Sequence, residues 1–90
     1  MSATSRYEVR IKRSAEKELD RIPQSMAERI DSAILALESD PRPRSCKRLR
    51  ATDVHRIRVG DYRVLYTIDD DVRVVEVMAI GHRRDVYRAL

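Results

Sequence analysis

Ninety residues carrying a formal charge of +4, with 38% of side chains charged, make one small domain with a thin core and exclude a multidomain enzyme. There are four tyrosines and no Phe or Trp, yet the apolar residues recur periodically, which excludes a disordered chain. A lone cysteine, Cys46, and two histidines, His55 and His82, exclude a disulfide framework and give no metal-ligand spacing, so no metal or other cofactor is expected, and no run is long enough to span a membrane.

Residues 1–5 lack the apolar region of a signal sequence and read as a flexible extension of a cytoplasmic protein. From Tyr7 to Lys12 apolar and charged residues alternate, the pattern of a half-buried strand with Tyr7, Val9 and Ile11 inward. Ser14 is suited to cap a short helix through Ile22 with Ala15, Leu19 and Ile22 on one stripe, and Pro23 restarts the chain. A second helix is predicted from Gln24 to Ser39, burying Met26, Ile30, Ala33, Ile34 and Leu37 and leaving Glu28, Arg29, Asp31 and Glu38 in water. Asp40-Pro41-Arg42-Pro43 ends it, because proline lacks a donor and restricts the residue before it. A basic loop follows, Arg44 to Thr52.

Two alternating runs, His55–Val59 and Tyr62–Tyr66, flank Gly60-Asp61, a hairpin with a type II′ turn. That loop sets Val59 opposite Tyr62, Arg58 opposite Arg63, Ile57 opposite Val64 and His55 opposite Tyr66, so one face is apolar and the other carries Arg56, Arg58 and Arg63. His55, Tyr62 and Tyr66 fall on the apolar face as core residues. Asp69-Asp70-Asp71 reads as a second tight turn into an interior strand, Val72 to Ile80, pairing Ile68 with Arg73, Tyr66 with Val75 and Val64 with Val77. In that register Glu76 lies across from Leu65, on the arginine face, where it could orient an arginine. The three aspartates are a solvated turn rather than a metal site. The tail, Gly81 to Arg88, brings Arg83, Arg84, Arg88, His82 and Tyr87 toward the same sheet.

Like charges directly across a strand pair repel, so stability alone does not explain Arg58 beside Arg63. Guanidinium forks match phosphate oxygens, and a bound phosphate would remove the repulsion. From Arg42 to Arg63 eight basic residues (Arg42, Arg44, Lys47, Arg48, Arg50, Arg56, Arg58, Arg63) stand against Asp53 and Asp61, a balance that favours polyanions. Two readings stay open, a solvated sheet face and a phosphodiester-binding one. No segment has the large apolar face of a membrane-surface helix.

The run Arg-Ile-Arg-Val-Gly-Asp-Tyr-Arg-Val-Leu-Tyr at 56–66 and Gly-His-Arg-Arg-Asp-Val-Tyr-Arg at 81–88 resemble the RelE branch of the RelE/ParE toxin superfamily. The order of strand, helical hairpin, Asp-Pro-Arg-Pro exit, basic segment and three-strand meander fits residues 1–90 as a single domain. The resemblance implies an α+β fold in which a curved antiparallel sheet carries helices on one face and the active surface on the other. It also implies a toxin of a type II toxin–antitoxin pair that enters the ribosomal A site, cuts mRNA there and is neutralised by a cognate antitoxin.

Carried over position by position, the resemblance has Arg56, Arg58 and Arg63 grip the scissile phosphate, Arg83 assist the 5′-oxygen leaving group and Tyr87 orient or stack on the nucleotide. Lys47, Arg48, Arg50, Arg84 and Arg88 would add RNA or ribosome contacts. The 2′-OH attacks phosphorus without a metal, and arginines stabilise the gathering charge. The best-known family pattern has lysines where this chain has Arg56 and Arg58, and a guanidinium does not take up a proton at neutral pH. The base is therefore His82, Tyr87 or none, and His82 could equally be a packing residue beside Gly81. Two other classes compete: a ParE-like inhibitor of DNA gyrase, and a non-catalytic RNA-binding relative.

Overall fold

The structure, a computed structural model, describes residues 6–89 apart from the side chains of residues 84, 88 and 89, so the extension expected at 1–5 lies outside it. Strand β1 (Glu8–Ile11) is followed by helices α1 (Arg13–Asp20) and α2 (Gln24–Ala36), a two-residue strand β2 (Lys47–Arg48), and the strands β3 (His55–Val59), β4 (Tyr62–Asp69) and β5 (Val74–His82). A C-terminal 3-10 helix (Arg83–Ala89) closes the chain. The sheet runs β1-β5-β4-β3-β2. The meander β3–β4–β5 is antiparallel as expected, but β1 joins β5 in parallel, which makes the sheet mixed.

Ser14 does not cap α1. Lys12 N–H donates to the Val77 carbonyl at 2.9 Å, and this strand pairing keeps Lys12 extended and makes it the residue of entry, with Glu16 N–H closing the first turn on its carbonyl. Helix α2 ends three residues before Ser39, because Leu37, Glu38 and Ser39 donate to carbonyls three residues back and tighten the last turn. Glu38, expected in water, is half-buried and pairs with Arg6 at 2.7 Å.

The hairpin register is the one read from sequence, including Arg58 opposite Arg63. Gly60 has φ +61° while Asp61 has no positive φ, the signature of a type II′ turn, and a Cβ at Gly60 would stand 2.9 Å from the Met26 Cε of α2. The next register differs from expectation. Asp69 pairs with Val74, so the acidic turn takes four residues, with Asp69 Oδ1 accepting the N–H groups of Asp71 and Val72 and Arg73 at φ +56°. Ile68 therefore faces Val75 and Tyr66 faces Val77. Leu65 then faces Ala79, leaving Met78 as a bulge that exchanges the faces of everything after it.

Two apolar clusters result. The larger one joins α1 and α2 to the sheet through Ala15, Ile30, Ile34, Leu37, Val64, Tyr66 and Val77, all buried. Burying each large side chain contributes roughly 1.5–3 kcal/mol. On the opposite face Val54, Leu65, Ala79 and Val86 form a smaller cluster with Leu49, Met78 and Tyr87 against it. Gly81 lets the 3-10 helix dock, since a Cβ there would lie 3.2 Å from the Val86 Cβ.

Candidate functional site

Alternation along β3 and β4 puts Arg56, Arg58, Arg63 and Leu65 on the face away from the helices. The bulge at Met78 places Gly81 opposite Arg63, so no side chain from β5 fills the space above that arginine. The chain then turns at Arg83, at φ +40°, and the 3-10 helix lays Val86 and Tyr87 on Leu65 and Ala79. Hairpin and tail thus meet around a shallow cavity of about 350 Å³ lined by Arg58, Gly60, Asp61, Arg63, Arg83 and Tyr87.

The electrostatics of this cavity are unbalanced. Arg56 and Arg63 each keep a buried Nε without a hydrogen-bond partner, and Arg63 otherwise reaches only the Tyr62 carbonyl through Nη1 at 3.4 Å. Among the described residues no ion pair reaches Arg56, Arg58 or Arg63; Arg83 has one, a 3.5 Å contact with Asp61. Arg63, with a shielded and unanswered Nε, facing an exposed Arg58 that has no ion pair among the described residues, is suited to take an anion with several oxygens.

The other sequence candidates divide between the faces. Lys47 lies opposite Arg56 and shares the arginine face, whereas Arg48 lies opposite His55 on the helix side, and Arg50 is exposed in the turn after β2. His82 lies opposite Tyr62 and meets its ring edge-on at 5.2 Å, beside a separate cavity under α1, so the structure does not bring it to the arginines. Glu76 lies opposite Thr67 and next to Arg10 of β1, not beside Leu65, because of the longer acidic turn. The side chains of Arg84 and Arg88 lie outside the described residues. Asp61, in sequence a turn residue and a counter-charge to the basic stretch, lines the cavity; nothing in the sequence marks it for that place, because Asp commonly follows the glycine of such a turn.

The helix side is better satisfied, His55 Nδ1 being its one buried side-chain atom without a partner among the described residues. Burial pushes the Tyr66 phenol above its ordinary range, and its hydroxyl donates to the Pro41 carbonyl at 2.7 Å. His55 stacks on that ring at 5.7 Å, and its pKa is lowered by burial and by the nearby charges of Arg42 and Arg48. At the sheet edge Arg42 grips Asp70 with two nitrogens at 2.9 and 3.2 Å while Tyr7 donates to the same carboxylate at 2.6 Å, which holds Asp70 down at about 2. Among the described residues no group of three His, Cys, Asp or Glu could hold a metal, and no helix is long and apolar enough to cross a membrane.

The family model described as the ParE toxin of the type II toxin–antitoxin system parDE matches residues 9–87. The chain is 36% identical to the toxin RelE of Mycobacterium tuberculosis over 91 residues, covering 98% of this chain and 93% of that one. It is similar to the toxin in the RelBE2 toxin–antitoxin complex of the same organism, at 30% identity and a TM-score of 0.78 over 87% of this chain and 99% of the other. A comparable likeness holds to the archaeal RelE–RelB complex of Pyrococcus horikoshii, at 30% identity and a TM-score of 0.79 over 87% and 96%.

Proposed function

The chain belongs to the RelE/ParE family of toxins from type II toxin–antitoxin systems, on its RelE branch, and from that premise we propose that it is a metal-independent endoribonuclease that cuts mRNA in the ribosomal A site. The observation that carries this reading is the cavity itself: Arg58 and Arg63 from the hairpin and Arg83 and Tyr87 from the tail converge on one space, and the Arg63 Nε there is buried without a partner. Fixed cations aimed at a phosphoryl group stabilise the charge that gathers on its oxygens, and they do so without reorganising during the step.

The ribose 2′-OH attacks the adjacent phosphorus, the bond to the 5′-oxygen breaks, and the products are a 2′,3′-cyclic phosphate and a 5′-OH. Arg58 and Arg63 hold the non-bridging oxygens, Arg83 stabilises the departing 5′-oxygen, and Tyr87 packs against the nucleotide. Arg56 and Lys47 extend the cationic track along the strand face, and a substrate without a 2′-OH, such as DNA, is spared. With His82 placed against Tyr62, the 2′-OH proton passes to water and the departing 5′-oxygen takes a proton from water, and the rate rests on orientation and charge stabilisation.

Solved relatives carry an antitoxin, and by likeness this chain is neutralised by a cognate antitoxin in the cytoplasm. The matching family model bears the ParE name, so a gyrase inhibitor is the competing reading, and the cationic cavity beside Tyr87 favours the nuclease. Mapping mRNA 5′ ends after induced expression distinguishes the two. New ends inside translated frames, absent with the Arg63→Ala, Arg83→Ala double variant, support the nuclease; growth arrest with gyrase-linked DNA breaks and no such ends overturns it.

A further inference from the structure

Asp61 is the one carboxylate among the residues lining the arginine cavity. The hairpin does not need it there, because Gly60 alone supplies the positive φ and the second position of a type II′ turn accepts most residues. Its carbonyl accepts the Arg83 backbone N–H at 2.9 Å, and its Oδ1 lies 3.5 Å from Arg83 Nη2, with both side chains nearly two-thirds exposed at 64% and 63%. The backbone bond fixes the chain where Arg83 adopts its left-handed conformation, so the guanidinium leaves the main chain next to this carboxylate. Compared with the two-nitrogen grip of Arg42 on Asp70, the contact is single, long and wet, an attachment that breaks readily.

We infer that Asp61 is a positioning residue for Arg83: its carboxylate stands in for a phosphate, parking the guanidinium at the rim of the cavity until a phosphodiester displaces it. This rests on the phosphodiester reading of the cavity. Without a counter-ion Arg83 would be driven from Arg58 and Arg63; with one it waits beside its target, and incoming RNA exchanges one anion for another. Removing the charge at Asp61 therefore frees Arg83 for the ligand and removes a carboxylate that repels it.

Two measurements on the full chain test this. In the free protein Asp61→Asn shifts the Arg83 Nε resonance in a ¹H–¹⁵N spectrum and leaves that of Arg42 in place; an unmoved Arg83 resonance overturns the inference whatever RNA does. Titration at low salt with a 2′-O-methyl RNA oligonucleotide, which cannot be cut, then shows Asp61→Asn binding about two- to fivefold tighter than the native chain, the range of an exposed ion pair. Asp61→Glu, which keeps the charge, binds like the native chain, and the gain falls by more than half when Asn is introduced beside Arg83→Ala. Equal affinity in Asp61→Asn and native chain, or the same gain with Arg83 absent, overturns the competition alone. No binding by any variant overturns it together with the phosphodiester reading.

Discussion

Alternate residues of the same strands build two faces of opposite character. Toward the helices Val64, Tyr66 and Val77 are fully buried, and the Tyr66 hydroxyl has a carbonyl partner. Toward the tail Leu65 is just as buried, but its neighbours are arginines that face each other without a carboxylate between them. The first arrangement is what folding free energy selects; the second costs stability, and in the proposed function an anion completes it. Because the side-chain period of a strand is two, either face can be altered with little consequence for the other, and this separation is open to test.

The largest effect is expected on the helix face. Leu37→Ala should cost about 2–5 kcal/mol in urea unfolding while leaving cleavage per folded molecule unchanged; loss of specific activity at full folding would break the separation. Arg63→Ala should do the reverse, slowing cleavage about 10²–10³-fold with a melting temperature that holds or rises as the repulsion with Arg58 is removed.

Gly81→Ala sharpens the comparison, since it acts on the join between the faces. The new Cβ would press on Val86, costing about 1–3 kcal/mol, and amide exchange should accelerate across residues 83–89 as cleavage falls, because Arg83 and Tyr87 ride on that segment. His82→Ala should leave cleavage within about threefold, far short of the roughly 10²–10⁴-fold a general base supplies.

The smallest effect is one of pH. Asp70 has its carboxyl lowered from 3.8 to about 2, first by the Arg42 hydrogen bond and then by Tyr7. A depressed carboxyl stabilises the fold above its unfolded value and loses that contribution as pH falls. Asp70→Asn should therefore melt about two degrees lower than the native chain at pH 6, with the gap closing between pH 4 and 2; a gap unchanged at pH 2 would contradict the assignment.

How much of this was legible in the sequence depended on the turns. Gly60 in a two-residue loop fixed which hairpin residues face each other, and with them the arginine face. The acidic turn has no glycine to mark its length: it holds four residues, with Arg73 in the left-handed region, and the register slipped by two. The bulge at Met78 carries no composition signal either, yet it decides that Gly81 faces Arg63 and that His82 turns to Tyr62. Simple alternation would have put His82 among the arginines. The part proposed for Arg83 and Tyr87 rests on resemblance, because their approach depends on a close Gly81–Val86 contact that spacing does not reveal.

The most direct test of the central account uses ribosomes programmed with two mRNAs, identical except that one carries a single 2′-deoxynucleotide on the 5′ side of the scissile bond. The account expects the all-ribose message to be cut to a 2′,3′-cyclic phosphate and a 5′-OH, and the 2′-deoxy message to stay intact at that bond. Cleavage of both at the same position would contradict attack by the 2′-OH and with it the role assigned to the arginine cavity.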